Sequence, residues 1–141
     1  MNIVRLKKSV IKHEGIRYTK YKDHLGNWTI GVGHLIKPDE DFGTVDLTNE
    51  QVDKILNVDL NIAITDARHF ISENDIAEEA FEIVVEMAFQ LGLTRLLGFK
   101  NFRKSLQEQN YRESSAHMLD SRWAKQTPNR ANTLALQMEK I

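Results

Sequence analysis

Strand-like patterning is concentrated in residues 17–34 of this 141-residue chain, with few strand signals after His34, and helical spacing governs almost everything else. Within that stretch Tyr18, Tyr21, Trp28, Thr29, Ile30 and Val32 favour extended backbone. Asp23, His24, Leu25, Gly26 and Asn27 supply turn residues between two strand-like runs, so the stretch reads as a β-hairpin. Gly31 and Gly33 weaken the second strand. They predict a bend, or a place where another group comes close to the backbone.

The flanking segments carry a different period. Ile3, Leu6, Val10 and Ile11 fall near one face of a short helix over 2–13, which Gly15 ends. Residues 37–46 form a loop. Thr48 followed by Gln51 forms a capping box, and Val52, Ile55, Leu56, Leu60, Ala63, Ile64 and Ala67 extend a long helix to Phe70. Further helices are expected over 77–91, closed by Gly92, over 101–109, over 112–120, and from Pro128 through Lys140. A small β element attached to a helical body is an α+β pattern. No repeat or linker points to a second domain, so 1–141 reads as one.

Composition excludes several classes of function. Hydrophobic residues are 41% of the chain, enough for a core, and the net charge of −1 lacks the basic excess of a nucleic-acid binder. No cysteine is present, which removes disulfides and thiolate metal sites. The five histidines show no short ligand spacing, and no metal or cofactor is expected. Arg5, Lys7, Lys8 and Lys12 break any apolar signal segment, and no stretch has the length of a membrane span.

Three ordinary residues become interesting together. Glu14 stands at a helix end, Asp23 at the hairpin turn and Thr29 on a strand. Singly they read as a solvated acid, a turn aspartate bonded to its own backbone, and a strand threonine. A helix end leading straight into a hairpin, however, can set two carboxylates beside one another with a hydroxyl between them. Glycoside hydrolysis needs such a pair: one acid protonates the leaving oxygen, the other carboxylate acts on water. A less polar setting would keep a proton on Glu14, and the polar turn would leave Asp23 ionised.

The runs His13-Glu14-Gly15, Tyr21-Lys22-Asp23, Gly26 and Thr29-Ile30-Gly31-Val32-Gly33-His34 resemble the phage T4-type lysozymes, glycoside hydrolase family 24. Their motif is E-x8-D-x5-T, which is the spacing here. Glu86-Met87-Ala88-Phe89-Gln90-Leu91-Gly92 looks like a second block. Ser121-Arg122-Trp123 with Gln126-Thr127-Pro128-Asn129-Arg130-Ala131 looks like a third, so the likeness spans 14–131. The loop over 37–47 is shorter than in the relative compared, and Phe102 and His117 stand where that relative has small polar residues near the substrate.

The resemblance implies a lysozyme-like fold: a small β-hairpin lobe (about 14–60) and a larger helical lobe (1–13 and 61–141), joined by a long helix with a cleft between them. It implies Glu14 as general acid, Asp23 as second carboxylate, and Thr29 as the residue that positions water. Leu35 and Phe89 would contact sugar. Arg130 would lie near the acid, His34 would pair with Asp59, and Gln90 would accept from the Trp123 indole. A paired His34 would have a raised pKa. The implied activity is inverting hydrolysis of peptidoglycan between N-acetylmuramic acid and N-acetylglucosamine for host cell lysis. The chain would be a monomer without nucleic acid or stable membrane association, held in the host cytoplasm before release to the wall. Two alternatives are a non-catalytic wall-binding or structural phage module, and a lytic transglycosylase. The latter needs one Glu and no hydrolytic water, so Asp23 and Thr29 argue against it.

Overall fold

In the computed structural model, which describes residues 1–141, the hairpin forms and acquires a third strand. β1 (Arg17–Lys22) runs antiparallel to β2 (Trp28–Gly31), with Tyr21 opposite Thr29 and Lys22 opposite Trp28. β3 (His34–Leu35) then sets Leu35 opposite Thr29 and His34 opposite Ile30. The extra strand follows from the glycines. Gly31 and Gly33 hold φ of 65° and 66°, so the chain reverses at Val32 and Gly33 and returns along β2.

Seven helices make up the rest: α1 (Ile3–Glu14), α2 (Asn49–Phe70), α3 (Glu78–Leu97), α4 (Lys100–Gln107), α5 (Tyr111–Leu119), α6 (Arg122–Gln126) and α7 (Pro128–Glu139). The architecture is α+β. The capping box at α2 is made: Gln51 N–H donates to Thr48 Oγ1 (3.1 Å) and Thr48 N–H to Gln51 Oε1 (2.8 Å). Every residue from Ala80 to Ala88 in α3 is buried, as expected of a helix that is apolar on most of its circumference. Gly92 interrupts α3 (φ 76°, ψ 167°), but the chain resumes helical geometry to Leu97 rather than ending there. α6 was not anticipated. Its start is marked by Ser121, whose hydroxyl accepts from Ala124 N–H.

The chain divides into two compact units, Ile3–Asn61 and Ile62–Ile141 with Met1–Asn2. This differs from the division expected from the resemblance, because α1 belongs with the sheet and not with the later helices. The cause is local. Only Gly15 and Ile16 separate α1 from β1, and Lys7 on α1 pairs with Asp53 on α2. Leu6, Val10, Ile30, Val32, Val52, Leu56 and Leu60 are the buried apolar residues of this unit. In the other unit α5 packs on α4 and α7, and Phe70 stacks on Phe102 with centroids 5.9 Å apart. No helix is long and apolar enough to cross a membrane.

Candidate active site

Glu14 is the last residue of α1 and is half-buried. Gly15, at φ 73°, then turns the chain into β1. The Glu14 carboxylate rests on Gly33. A Cβ at position 33 would stand 2.5 Å from Glu14 Oε2 and 2.8 Å from its Cδ. The carboxylate therefore occupies the space a side chain at 33 would fill. The close approach belongs to Gly33 alone, since a Cβ on Gly31 would meet nothing within 4 Å.

Asp23 and Thr29 are both held by Asn27. Asp23 Oδ1 accepts from Asn27 N–H (2.8 Å) and Leu25 N–H (2.9 Å). The Thr29 hydroxyl donates to the Asn27 carbonyl (3.0 Å), which also accepts from Asp23 N–H (2.9 Å). The Asn27 N–H, and secondarily that of Leu25, holds the Asp23 carboxyl below the usual range by bonding to its charged form. Thr29 is only 3% exposed, on the inner side of β2.

Tyr21 belongs to the same neighbourhood. It lies under the Arg17 guanidinium, 4.6 Å from the ring centroid. Partial burial raises its phenol pKa, and the Glu14 carboxylate raises it further, with Arg17 opposing. Leu35, on β3, is 55% exposed.

The structure brings His34 and Asp59 together, and adds a partner. His34 Nδ1 lies 2.7 Å from Asp59 Oδ2, while Nε2 lies 3.0 Å from Glu40 Oε1. Glu40 Oε1 also accepts from Lys37 N–H (2.7 Å). The bond to Asp59 raises the His34 pKa above 6.5; burial opposes this and Glu40 adds to it. Burial alone would raise the Glu40 carboxyl, but the Lys37 N–H and His34 outweigh it and hold it low.

A pH dependence follows. Because the folded pKa of His34 is raised, its contribution to stability is complete below the unfolded value near 6.5 and fades as pH rises through the folded value. Asp59→Asn is expected to destabilise by about 1–3 kcal/mol at pH 6, and by progressively less at alkaline pH. Urea titrations of both proteins across pH 5–10, with the His34 ring followed by NMR, measure this. A gap that widens with pH would refute it.

The other residues singled out lie in the unit 62–141. Phe89 and Gln90 are half-buried on α3, and Arg130 is half-buried in the first turn of α7. The Trp123 indole N–H donates to Gln90 Oε1 (2.8 Å). Trp123 and His117 line a pocket of about 540 Å³ with Leu91, Phe99 and Arg122. Phe102 borders it too but is 1% exposed, so it acts mainly as core against Phe70.

Sequence reasoning missed Asn27 and Glu40 and left Tyr21 as a motif letter. Asn27 works mostly through its backbone, which no side-chain pattern reveals. Glu40 looks like any loop acid until the fold returns it to His34.

The comparisons with known proteins agree with the fold. The phage lysozyme family model matches residues 11–138. The chain is 29% identical to "Probable T4-type lysozyme 1" of Dictyostelium discoideum, over 94% of this chain and 92% of that protein. It is 25% identical to "Probable T4-type lysozyme 2" of the same organism, over 89% and 88%. It is also 25% identical to "Peptidoglycan hydrolase gp36" of Pseudomonas phage phiKMV, covering 97% of this chain and 15% of that protein. Fold and likeness together define a glycoside hydrolase of the lysozyme type. The chain belongs to the phage lysozyme family.

Proposed function

We propose that this chain hydrolyses the β-1,4 bond between N-acetylmuramic acid and N-acetylglucosamine in peptidoglycan, with inversion at the anomeric carbon. The observation that carries the reading is the common hold of Asn27 on Asp23 and Thr29, in the same unit as Glu14. Glu14 gives its proton to the leaving glycosidic oxygen as the bond to the anomeric carbon breaks. A water attacks that carbon from the opposite face and loses a proton to Asp23.

The hydrogen-bond directions suit this division of labour. The Thr29 proton is committed to the Asn27 carbonyl, so its oxygen can only accept from a water. Asp23, held ionised, also accepts. A water donating to both keeps a lone pair free for attack. Leu35, on β3, contacts the sugar in this reading. The His34–Asp59 pair steadies the surroundings of these groups, while Arg130 and the Gln90–Trp123 pair belong to the unit 62–141. The protein acts as a monomer on peptidoglycan, accumulating in the host cytoplasm before release and host cell lysis.

Mass spectrometry of peptidoglycan digested by the purified protein tests the reaction. Reducing muramic ends are expected. Anhydro-muramic ends would mean a transglycosylase and would remove the water-handling role of Asp23 and Thr29. Intact protein that binds sacculi and cuts nothing would make it a wall-binding module.

A further inference from the structure

A concave feature lies on the side of β2 away from Thr29. Side chains alternate along a strand, so with Thr29 turned inward, Trp28 faces outward and is 47% exposed. Lys20 and Lys22 on β1 hold their ammonium groups 5.1 and 5.2 Å from its ring centroid. Beside the indole is a pocket of about 310 Å³, with Lys20 and Trp28 on one wall and Lys37, Pro38, Glu40 and Phe42 on the other.

That second wall is fixed rather than loose. Ile36 N–H donates to the Trp28 carbonyl (3.0 Å), which ties the start of the loop to β2. Glu40 is gripped by His34 and the Lys37 N–H, and Phe42 meets the His34 ring edge-on at 6.1 Å. The pocket is thus held open by the same histidine that binds Asp59.

Its chemistry is selective. An exposed indole offers a flat apolar face with little conformational entropy to lose, which suits the apolar face of a pyranose ring. Three lysines surround it. Glu40 is engaged by His34, while Asp41, whose Oδ1 accepts from Gly43 N–H, keeps its negative charge, so the three lysines outnumber the two acids by one. The remaining charge favours an anionic ligand.

We propose that Trp28, Lys20, Lys22 and Lys37 form an accessory binding site for a carboxylate-bearing glycan strand, separate from the groups around Glu14 and Asp23. The identity of the strand as peptidoglycan rests on the hydrolase reading above. One sugar ring stacks on Trp28 while the lysines swing from the indole to the strand's carboxylates. The site tethers the protein to the insoluble polymer without touching the bond that is cut.

The test is sedimentation with purified sacculi, paired with turnover of a soluble muramic-acid-containing tetrasaccharide. Trp28→Ala is expected to weaken sacculus binding about tenfold, and Lys20→Glu with Lys22→Glu by a similar factor. Trp28→Tyr should recover most of the binding, and tetrasaccharide turnover should stay within about twofold for all variants. Because Trp123 is 2% exposed, an indole fluorescence change on adding soluble glycan to Glu14→Gln protein reports Trp28, and Trp28→Ala should abolish it. Unchanged sacculus binding by Trp28→Ala would overturn the proposal. So would a parallel loss of tetrasaccharide turnover, which would assign Trp28 to the cutting site. If wild-type protein binds sacculi through Trp28 yet cuts nothing, the accessory site stands and the hydrolase reading fails.

Discussion

Glu14→Gln is expected to lower peptidoglycan turnover by about 10²–10⁴-fold with little effect on the melting temperature. The amide matches the carboxyl in size, so it can keep its seat on Gly33, but it has no proton to surrender to a leaving oxygen. Clearing of a sacculus suspension measures the first effect, and a circular-dichroism melt the second. A variant that keeps more than about a tenth of wild-type turnover would show that the acid lies elsewhere.

Gly33→Ala is expected to produce nearly as large a loss by a different route. The added Cβ would stand 2.5 Å from Glu14 Oε2, so the carboxylate must leave its position. The backbone at φ 66° also penalises any side chain, by about 1–2 kcal/mol. Moving a reacting group by ~1 Å can cost about 10²-fold in rate, and that is the loss expected here. Gly31→Ala is the control. It has almost the same φ, 65°, but open space at the Cβ, so it should show the backbone penalty with much less loss of turnover. In the double variant Gly33→Ala adds little to Glu14→Gln, since both act through one carboxylate. Equal losses from the two glycine variants, or full additivity with Glu14→Gln, would sink the account.

Much of the scaffold was legible because local signals were strong. The Thr48–Gln51 box and Pro128 mark helix starts that the structure reproduces, and the turn residues over 23–27 set the hairpin. What was missed depends on distance or brevity. The five-residue α6 is too short to show a period, and the two-residue β3 exists only because Gly31 and Gly33 fold it back on β2. The assignment of α1 to the sheet unit is decided by burial of Leu6 and Val10 and by a two-residue connection, not by its own amphipathic pattern. The neighbourhood of Glu14 was half legible. The glycine pattern announced a close approach, but only the fold shows that the approaching group is a carboxylate and that Gly33, not Gly31, receives it.

The turn at Asn27 carries a consequence for variation in this chain. Its main chain binds Asp23 twice, through one donor and one acceptor, and takes the Thr29 hydroxyl as well. Those three bonds depend on how many residues separate 23 from 29 more than on which residues they are. Composition can drift at His24 and Leu25, whose side chains are exposed, with little penalty. An inserted or deleted residue would shift all three bonds at once. The arrangement of Asp23 and Thr29 is therefore guarded by the length of a surface loop, a quantity that substitution alone leaves untouched.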